Sequence, residues 1–304
     1  MGVTADKLHK EMYIGVVGAG DVLLKNYSLL RTNGVAEKVY TDKSPQKPYT
    51  WLANVIAIAI DKIGDVSVGA KAREVYLKTG SIEIPKIVLD LSIADATTML
   101  VEIHRTVWKS EIRNQDVVCK YCGHNMRIDI DLDRIKFLDE DLPKLEKEWQ
   151  EIEVYLPEGY VFEGLKVAGK EEVSYADYKG LNFNRFTFRV PTLGDAIRNE
   201  KYYNDNIVFW RRIAFDCLTN MAACEMDASG NAVKWLADMP ETVKGILGMK
   251  LFDEYLLFED LDKIRQSLRE DPPTMPFFYE EECSNPGCRL QTPVTVEASG
   301  FFST

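Results

Sequence analysis

Two pairs of cysteines, separated by 160 residues of chain, constrain the fold more than any other feature of this sequence. The first pair is Cys119 and Cys122, and the second pair is Cys283 and Cys288. At such spacings two sulfurs can point at one metal ion, because the turn between them folds back. A tetrahedral shell needs four ligands, which neither pair supplies alone. The two pairs are therefore expected to meet in space.

The cysteine pattern predicts a structural zinc site whose four ligands are Cys119, Cys122, Cys283 and Cys288. Four thiolates leave no open coordination position, which favours a structural role over a catalytic one. The strands after the two knuckles are expected to form the sheet around the ion. Three alternatives stay open: four ordinary reduced cysteines, a pair of disulfides in an extracellular particle, or His124 in place of one thiolate.

The composition indicates a folded, acidic protein. The chain has 304 residues with 48 acidic and 37 basic side chains, which gives a formal charge of −11. This charge opposes binding to nucleic acid, which depends on Lys and Arg. The most apolar run, residues 51–60, is short against the roughly 20 residues of a membrane span. The N-terminal residues lack the apolar stretch of a signal peptide. We therefore expect a protein made in the cytoplasm, with no nucleic-acid partner and no membrane span.

Hydrophobic periodicity predicts an α+β fold, in which helical segments accompany small antiparallel sheets and a discontinuous, zinc-ribbon-like pair of cysteine knuckles. Helices are predicted over residues 48–62 and 93–108, the second beginning at a capping box of Ser92 and Asp95. Strands are predicted over residues 84–91 and 183–190. A turn at Pro157 predicts a hairpin over residues 154–162.

The region from residue 206 to residue 269 is predicted to be mainly helical. Cys217 and Cys224 would then share one helix face as small core residues. After the first knuckle, apolar residues alternate with Asp129, Asp131 and Asp133. This alternation predicts a half-buried strand whose acidic face is exposed to solvent or docked onto a basic partner.

These patterns divide the chain into four regions: residues 1–45 as an N-terminal arm, 46–135 as a helix-strand-helix unit with the first knuckle, 136–190 as a charged connector and β-hairpin, and 191–304 as a helical region ending in the second knuckle and a C-terminal strand. The glycines from Gly15 to Gly20 lack the dinucleotide-binding spacing and predict a flexible turn in the arm. Asp95 precedes Cys119 by 24 residues and Asp260 precedes Cys283 by 23. The similar spacing predicts a degenerate internal duplication.

Catalytic machinery is hard to assemble from the remaining residues. The chain has three histidines and none of the zinc-protease, nucleophile-elbow or phosphate-loop motifs. We therefore predict a protein that is not an enzyme, with no catalytic residues and no cofactor-binding residues besides the metal ligands.

The order of motifs along the chain resembles one family. A strand and an Asp-containing helix are followed by C-x-x-C-G, by a strand ending at Leu132, by the segment from Val154 to Gly159, and by the segment from Phe188 to Asp195. This order is similar to that of the baseplate hub and assembly proteins of T4-like contractile-tailed phages. The resemblance covers residue 85 to the C-terminus, and residues 1–45 have no counterpart in it.

The resemblance implies a structural component of the phage tail baseplate, built in the host cytoplasm and in contact with other baseplate, hub and tail-tube proteins. The aromatic pairs Tyr202-Tyr203, Phe277-Phe278 and Phe301-Phe302 are candidates for interface anchors or for core residues. A tail-assembly factor or chaperone absent from the mature virion is the main alternative. A zinc-ribbon nucleic-acid-binding protein and a metal-dependent enzyme are less favoured, because the first needs basic surface and the second an open coordination site.

Overall fold

A computed structural model of the protein describes residues 9–42, 46–107, 111–134, 136–137, 151–164, 175–227, 232–270 and 277–294. The helices are α1 (Gly34–Thr41), α2 (Pro48–Ala59), α3 (Gly69–Thr79), α4 (Lys86–Leu89), α5 (Ile93–Val107), α6 (Leu193–Asn199), α7 (Asn206–Cys217), α8 (Glu241–Leu247) and α9 (Phe258–Glu270). The strands are β1 (His9–Val17), β2 (Leu23–Leu29), β3 (Ile60–Ile63), β4 (Val66–Ser67), β5 (Glu111–Val118), β6 (Asn125–Asp131), β7 (Lys136–Phe137), β8 (Glu151–Val161), β9 (Asn182–Arg189), β10 (Leu218–Met226), β11 (Ala232–Asp238), β12 (Phe277–Glu282) and β13 (Gln291–Val294). Within these ranges, no helix combines the length and apolar character that crossing a membrane requires.

The chain forms two compact units, and each collects separate stretches of sequence. The first unit comprises Met1–Glu146, Thr192–Lys201 and Thr274–Thr304, and the second comprises Lys147–Pro191 and Tyr202–Pro273. Both contain helices and a four-stranded antiparallel sheet, and two smaller antiparallel sheets carry the four cysteines of the two knuckles at their hairpin tips. The predicted α+β class is therefore confirmed.

The first unit is built on a sheet with the strand order β1-β2-β3-β4. Helix α2 begins with Pro48, whose fixed φ suits the first helical turn, and it continues directly into β3 at Ile60. Leu52, Ile56 and Ile58 of this helix are fully buried, because α1, α3, α5 and α6 all pack against it. A helix that is apolar on all sides, as the sequence shows here, is stable only in such surroundings.

The second unit repeats this plan with the strand order β8-β9-β10-β11. Helix α7 has twelve residues, as does α2, and it likewise runs directly into the third strand at Leu218. Helix α9 packs against β8, as α5 packs against β1. The core of this sheet includes the fully buried rings of Phe183, Phe186 and Phe188.

A buried carboxylate locks helix α5 onto the first sheet. The register of β1 and β2 shifts between Glu11 and Val16, and Gly15 sits in this bulge with φ +85°. The N–H groups of Ile14 and Gly15 donate to the carboxylate of Asp95 at 3.2 and 3.0 Å. Asp95 is fully buried in the first turn of α5, so its oxygens satisfy amides that the bulge removes from the ladder.

The second unit contains the same lock. The register of β8 and β9 shifts between Tyr155 and Tyr160, with Gly159 in the bulge at φ +66°. The N–H groups of Glu158 and Gly159 donate to the carboxylate of Asp260 at 3.4 and 2.9 Å. Burial raises the pKa of Asp260, whereas the two amide donors oppose that shift.

The two units therefore share the strand order, the twelve-residue helix before the third strand, and the locked helix that begins two residues before its aspartate. After the locked helix, a strand leads into each cysteine knuckle, β5 in one case and β12 in the other. These shared features agree with the internal duplication that the Asp-to-Cys spacing predicts.

Two local predictions are wrong, and a third is partly wrong. Residues 84–91 were expected to form a strand, but α4 follows Pro85 there, since a short apolar run does not distinguish strand from helix. The predicted hairpin at Pro157 is instead one strand, β8, in which Gly159 serves a bulge rather than a turn. The predicted flexible glycine turn is also partly wrong, because Gly15 lies within β1 and only the later glycines connect β1 to β2.

The mainly helical prediction for residues 206–269 is wrong over β10 and β11, which form half of the second sheet. Asn220, Ala222 and Ala223 are poor strand formers, so the sequence of β10 resembles that of a helix. Cys217 ends α7 and Cys224 lies in β10. Both are buried core residues as predicted, but they do not share a helix face.

We expect Asp260→Ala to destabilise the protein by about 1–3 kcal/mol, because two backbone donors of the bulge would lose a charged acceptor. The neighbouring Glu259 is exposed in the same helical turn, so Glu259→Ala is the matched control and should change stability by less than about 0.5 kcal/mol. Urea unfolding of both variants measures the difference. Equal midpoints for the two variants would contradict the role given to Asp260.

Candidate metal centre

The first cysteine pair occupies the tip of the β5–β6 hairpin. Strand β5 ends immediately before Cys119, and β6 begins at Asn125. The N–H of Cys119 donates to the carbonyl of His124, and the N–H of Gly123 donates to the carbonyl of Cys119, both at 2.9 Å. Gly123 has φ +71°, a conformation that glycine adopts without steric cost. These bonds turn both sulfurs to the same side of the hairpin tip.

The second cysteine pair occupies the tip of the β12–β13 hairpin in the same manner. The N–H of Cys283 donates to the carbonyl of Leu290 at 3.0 Å, and the N–H of Cys288 donates to the carbonyl of Asn285 at 2.9 Å. The residue after the second cysteine again has a positive φ, but here it is Arg289, at +49°. Both knuckles thus place a residue with positive φ directly after the second cysteine. This residue is a glycine in the first knuckle and an arginine in the second.

The four sulfurs converge on one point. Sγ of Cys119 lies 3.9 Å from Sγ of Cys288, Sγ of Cys122 lies 3.7 Å from Sγ of Cys283, and all four lie within 4.8 Å of one another. A tetrahedral ion with metal–sulfur bonds of about 2.3 Å separates its sulfurs by about 3.8 Å. A disulfide requires about 2.05 Å. The spacing fits a four-thiolate metal site, and no disulfide joins these cysteines.

Polar groups around the site donate to the sulfurs. The hydroxyl of Thr292, itself fully buried, donates to Sγ of Cys119 at 3.1 Å, and Nδ2 of Asn285 lies 3.7 Å from Sγ of Cys122. The Thr292 hydroxyl lowers the pKa of the Cys119 thiol to about 6, although burial opposes the shift. Burial raises the pKa of Cys283 to about 12. A bound cation would replace the thiol protons and favour the charged form of all four sulfurs.

One side of the sulfur cluster is buried in the protein, and the other side is accessible to solvent. Cys119 and Cys283 are buried against Met126, whereas Cys122 is exposed and Cys288 is half-buried. The N–H of residue 284 donates to Sδ of Met126 at 3.3 Å. The sulfur cluster therefore has an apolar, hydrogen-bonded wall on one side and a route for an ion from solvent on the other.

The structure brings together the four cysteines predicted from the sequence, but not the predicted sheet around them. Each strand after a knuckle pairs with the strand before the same knuckle, β6 with β5 and β13 with β12. His124 is exposed, and its Nε2 lies 3.1 Å from Oγ of Ser284. Thr292 was missed because its contact with Cys119 joins two hairpins far apart in sequence, and no local pattern signals it.

The other predicted surface features are only partly as expected. Strand β6 ends at Asp131, so the three aspartates do not share one strand face. Asp129 is exposed and accepts from the N–H of Asn114, whereas Asp133 lies in a short 3₁₀ helix and pairs with Arg105 at 2.7 Å. His104 is buried in α5.

The predicted aromatic anchors give a mixed picture. Tyr202 is half-buried beneath the guanidinium of Arg212, and Tyr203 packs edge-on against Phe209. The Phe277-Phe278 pair opens strand β12. The Phe301-Phe302 pair lies outside the described residues. Tyr202 and Tyr203 therefore both contact side chains of α7.

No protein-family model, curated protein or solved structure matches the chain.

The two knuckles offer a matched pair of substitutions. Arg289→Gly should stabilise the protein by about 0.5–1 kcal/mol, because glycine relieves the left-handed conformation at a smaller entropic cost. Gly123→Ala should destabilise it by about 1 kcal/mol through its φ alone, since no atom lies within 4 Å of the added Cβ. Thermal unfolding under reducing conditions measures both changes. A loss of stability in Arg289→Gly would show that its side chain, not its backbone, matters there.

Proposed function

We propose that the protein is a non-enzymatic structural component of a phage tail baseplate, in its hub or wedge region, and that a structural zinc ion stabilises it. The convergence of Cys119, Cys122, Cys283 and Cys288 within 4.8 Å supports the zinc part of the proposal, and the order of motifs along the chain supports the baseplate part. Its place of action would be the virion tail, after assembly in the host cytoplasm. Its partners would be other baseplate, hub and tail-tube proteins.

The donor set favours zinc as the ion. Tetrahedral four-sulfur sites are typical of zinc and of iron–sulfur centres. In cysteine-only zinc sites the protein fills all four positions, so the ion would lack a site for substrate or water. Such an ion would act by joining residues 119–122 to residues 283–288, two stretches far apart in the chain. In small zinc domains binding contributes on the order of 10 kcal/mol to folding.

The baseplate role is supported by the order of motifs along the chain and by four thiolates that would leave no open coordination position on a bound ion. A metal that only stabilises suits a particle component, whose task is to hold a shape and present surfaces. The acidic charge of −11 suits contact with basic protein surfaces and disfavours nucleic acid.

Two alternatives remain as proposals of a different class. An assembly factor or chaperone would use the same surfaces but would leave before the virion is complete. A zinc-ribbon nucleic-acid-binding protein finds some support at the first knuckle, where the ammonium of Lys120 lies 5.0 Å from the ring of the exposed Tyr121. Aromatic and basic side chains of this kind can stack on bases, although the net charge opposes it.

We expect one zinc ion per chain when the purified, reduced protein is analysed for metals. Cys122→Ser removes an exposed ligand and should release the metal and make the protein sensitive to proteases. Cys224→Ser, outside the cluster, is the control and should retain the zinc. Wild-type protein that is as stable without metal as with it would overturn the zinc proposal. A coloured, iron-containing protein would instead identify the bound ion as iron.

Purified particles of the phage that encodes the chain should contain it at a fixed copy number, measured by quantitative mass spectrometry. Absence from mature particles combined with presence in assembly intermediates would favour the assembly-factor alternative. A shift of DNA or RNA mobility at low salt that disappears as salt is raised would instead favour the nucleic-acid alternative.

A further inference from the structure

The four cysteines of the sulfur cluster differ in their access to solvent. Cys119 and Cys283 are each 1% exposed, whereas Cys122 is exposed and Cys288 is half-buried. The two buried cysteines pack against the side chain of Met126. Since the oxidation of a cysteine follows its thiolate character and its exposure, a small oxidant from solvent should react with Cys122 first.

Short sulfur–sulfur distances in the cluster run from one hairpin to the other. Sγ of Cys122 lies 3.7 Å from Sγ of Cys283, and Sγ of Cys119 lies 3.9 Å from Sγ of Cys288. The partners are 161 and 169 residues apart in sequence. Either pair of sulfurs would have to approach by less than about 2 Å to reach the disulfide bond length of about 2.05 Å. A disulfide within either pair would therefore join the same two hairpins that a bound ion joins.

We propose that the cluster is a redox switch, in which hydrogen peroxide oxidises Cys122 and Cys283 to a disulfide and the bound ion is released. The inference rests on the proposed structural zinc and names the chemistry that regulates its site. The cysteines would hold an ion as thiolates in a reducing compartment and form a cross-hairpin disulfide in an oxidising one. The two hairpins would stay cross-linked in both states.

The oxidation moves two electrons from two thiolates to one peroxide. The thiolate of Cys122 attacks one oxygen of hydrogen peroxide, the O–O bond breaks, and hydroxide leaves, which gives a sulfenic acid. The thiolate of Cys283 then attacks the sulfenic sulfur, so that the S–S bond forms, the S–O bond breaks and a second hydroxide leaves. Both hydroxides take up protons from solvent to become water. Cys119 and Cys288 alone do not fill a tetrahedral shell, which needs four ligands.

The test treats the purified, metal-containing full chain with hydrogen peroxide. A zinc-binding dye should report the release of zinc, and peptide mass spectrometry should find the Cys122–Cys283 disulfide in equal amount. Cys217 and Cys224, which are 0% and 6% exposed and lie outside the cluster, are internal controls and should remain reduced. Dithiothreitol with added zinc should restore the metal-bound protein, because a disulfide is reducible whereas a sulfinic acid is not.

Alkylation identifies the thiolate that reacts first. A substoichiometric amount of N-ethylmaleimide, added to the metal-containing protein, should label Cys122 ahead of the other three ligands, because Cys122 is the exposed one. Peptide mass spectrometry measures the order of labelling.

A substitution beside Cys122 tests the same assignment without removing a ligand. Nδ2 of Asn285 lies 3.7 Å from Sγ of Cys122, and Oδ1 of Asn285 accepts from the N–H of Gly287 at 3.0 Å. Asn285→Asp keeps the acceptor and loses the donor, so the Cys122 thiolate should become more nucleophilic and zinc release at least about twofold faster. Asn114→Asp adds the same charge at an exposed position of β5 and should leave the rate unchanged. Circular dichroism shows whether each variant is folded.

Zinc that stays bound in peroxide, a first disulfide that omits Cys122, or equal release rates for Asn285→Asp and Asn114→Asp would overturn the proposal. Loss of zinc with sulfinic acid and no disulfide would also overturn it. Purified protein that contains no metal would contradict the zinc proposal and, with it, the release step, and this result is obtained before peroxide is added. A metal-containing protein that resists peroxide would contradict the switch alone.

Discussion

The convergence of two cysteine pairs on one point is the constraint on which the first unit depends. That unit is assembled from three separate stretches of chain, and the two knuckles belong to the first and the last of them. Backbone hydrogen bonds fix each hairpin tip, so the backbone itself positions the sulfurs without an ion. An ion held by all four would convert two local turns into one long-range cross-link.

The carboxylate locks also join parts of the chain that are far apart in sequence. A bulge leaves backbone amides without ladder partners, and Asp95 or Asp260 supplies the missing acceptor from the first turn of a helix. The position of the helix on the sheet is thereby fixed by two hydrogen bonds rather than by packing alone. The two units keep this device and differ in what covers the helices, since α6 packs on one pair and the other pair retains an exposed Phe258.

Local chemistry and the meeting of the two cysteine pairs were predictable from the sequence, whereas the pairing of strands and the contacts of the locking aspartates were not. The spacing of Cys119 and Cys122, the capping of α5 by Ser92 and the burial of Met126 and Ile130 in β6 all follow from patterns within a few residues. Gly159 was misread as part of a turn because its partner, Asp260, lies 101 residues away. Strand β10 was misread because Asn and Ala have weak strand preferences, and pairing with β9 and β11 overrides them.

The distribution of the first unit along the chain has a consequence for the order of events during synthesis. The thiols of Cys119 and Cys122 leave the ribosome long before those of Cys283 and Cys288, and α6 and the second unit are made in between. The sulfur cluster cannot close until the later pair has emerged. Until then the nascent first unit contains only two of the four thiols, and a product truncated before Cys283 would lack half of the sulfur cluster.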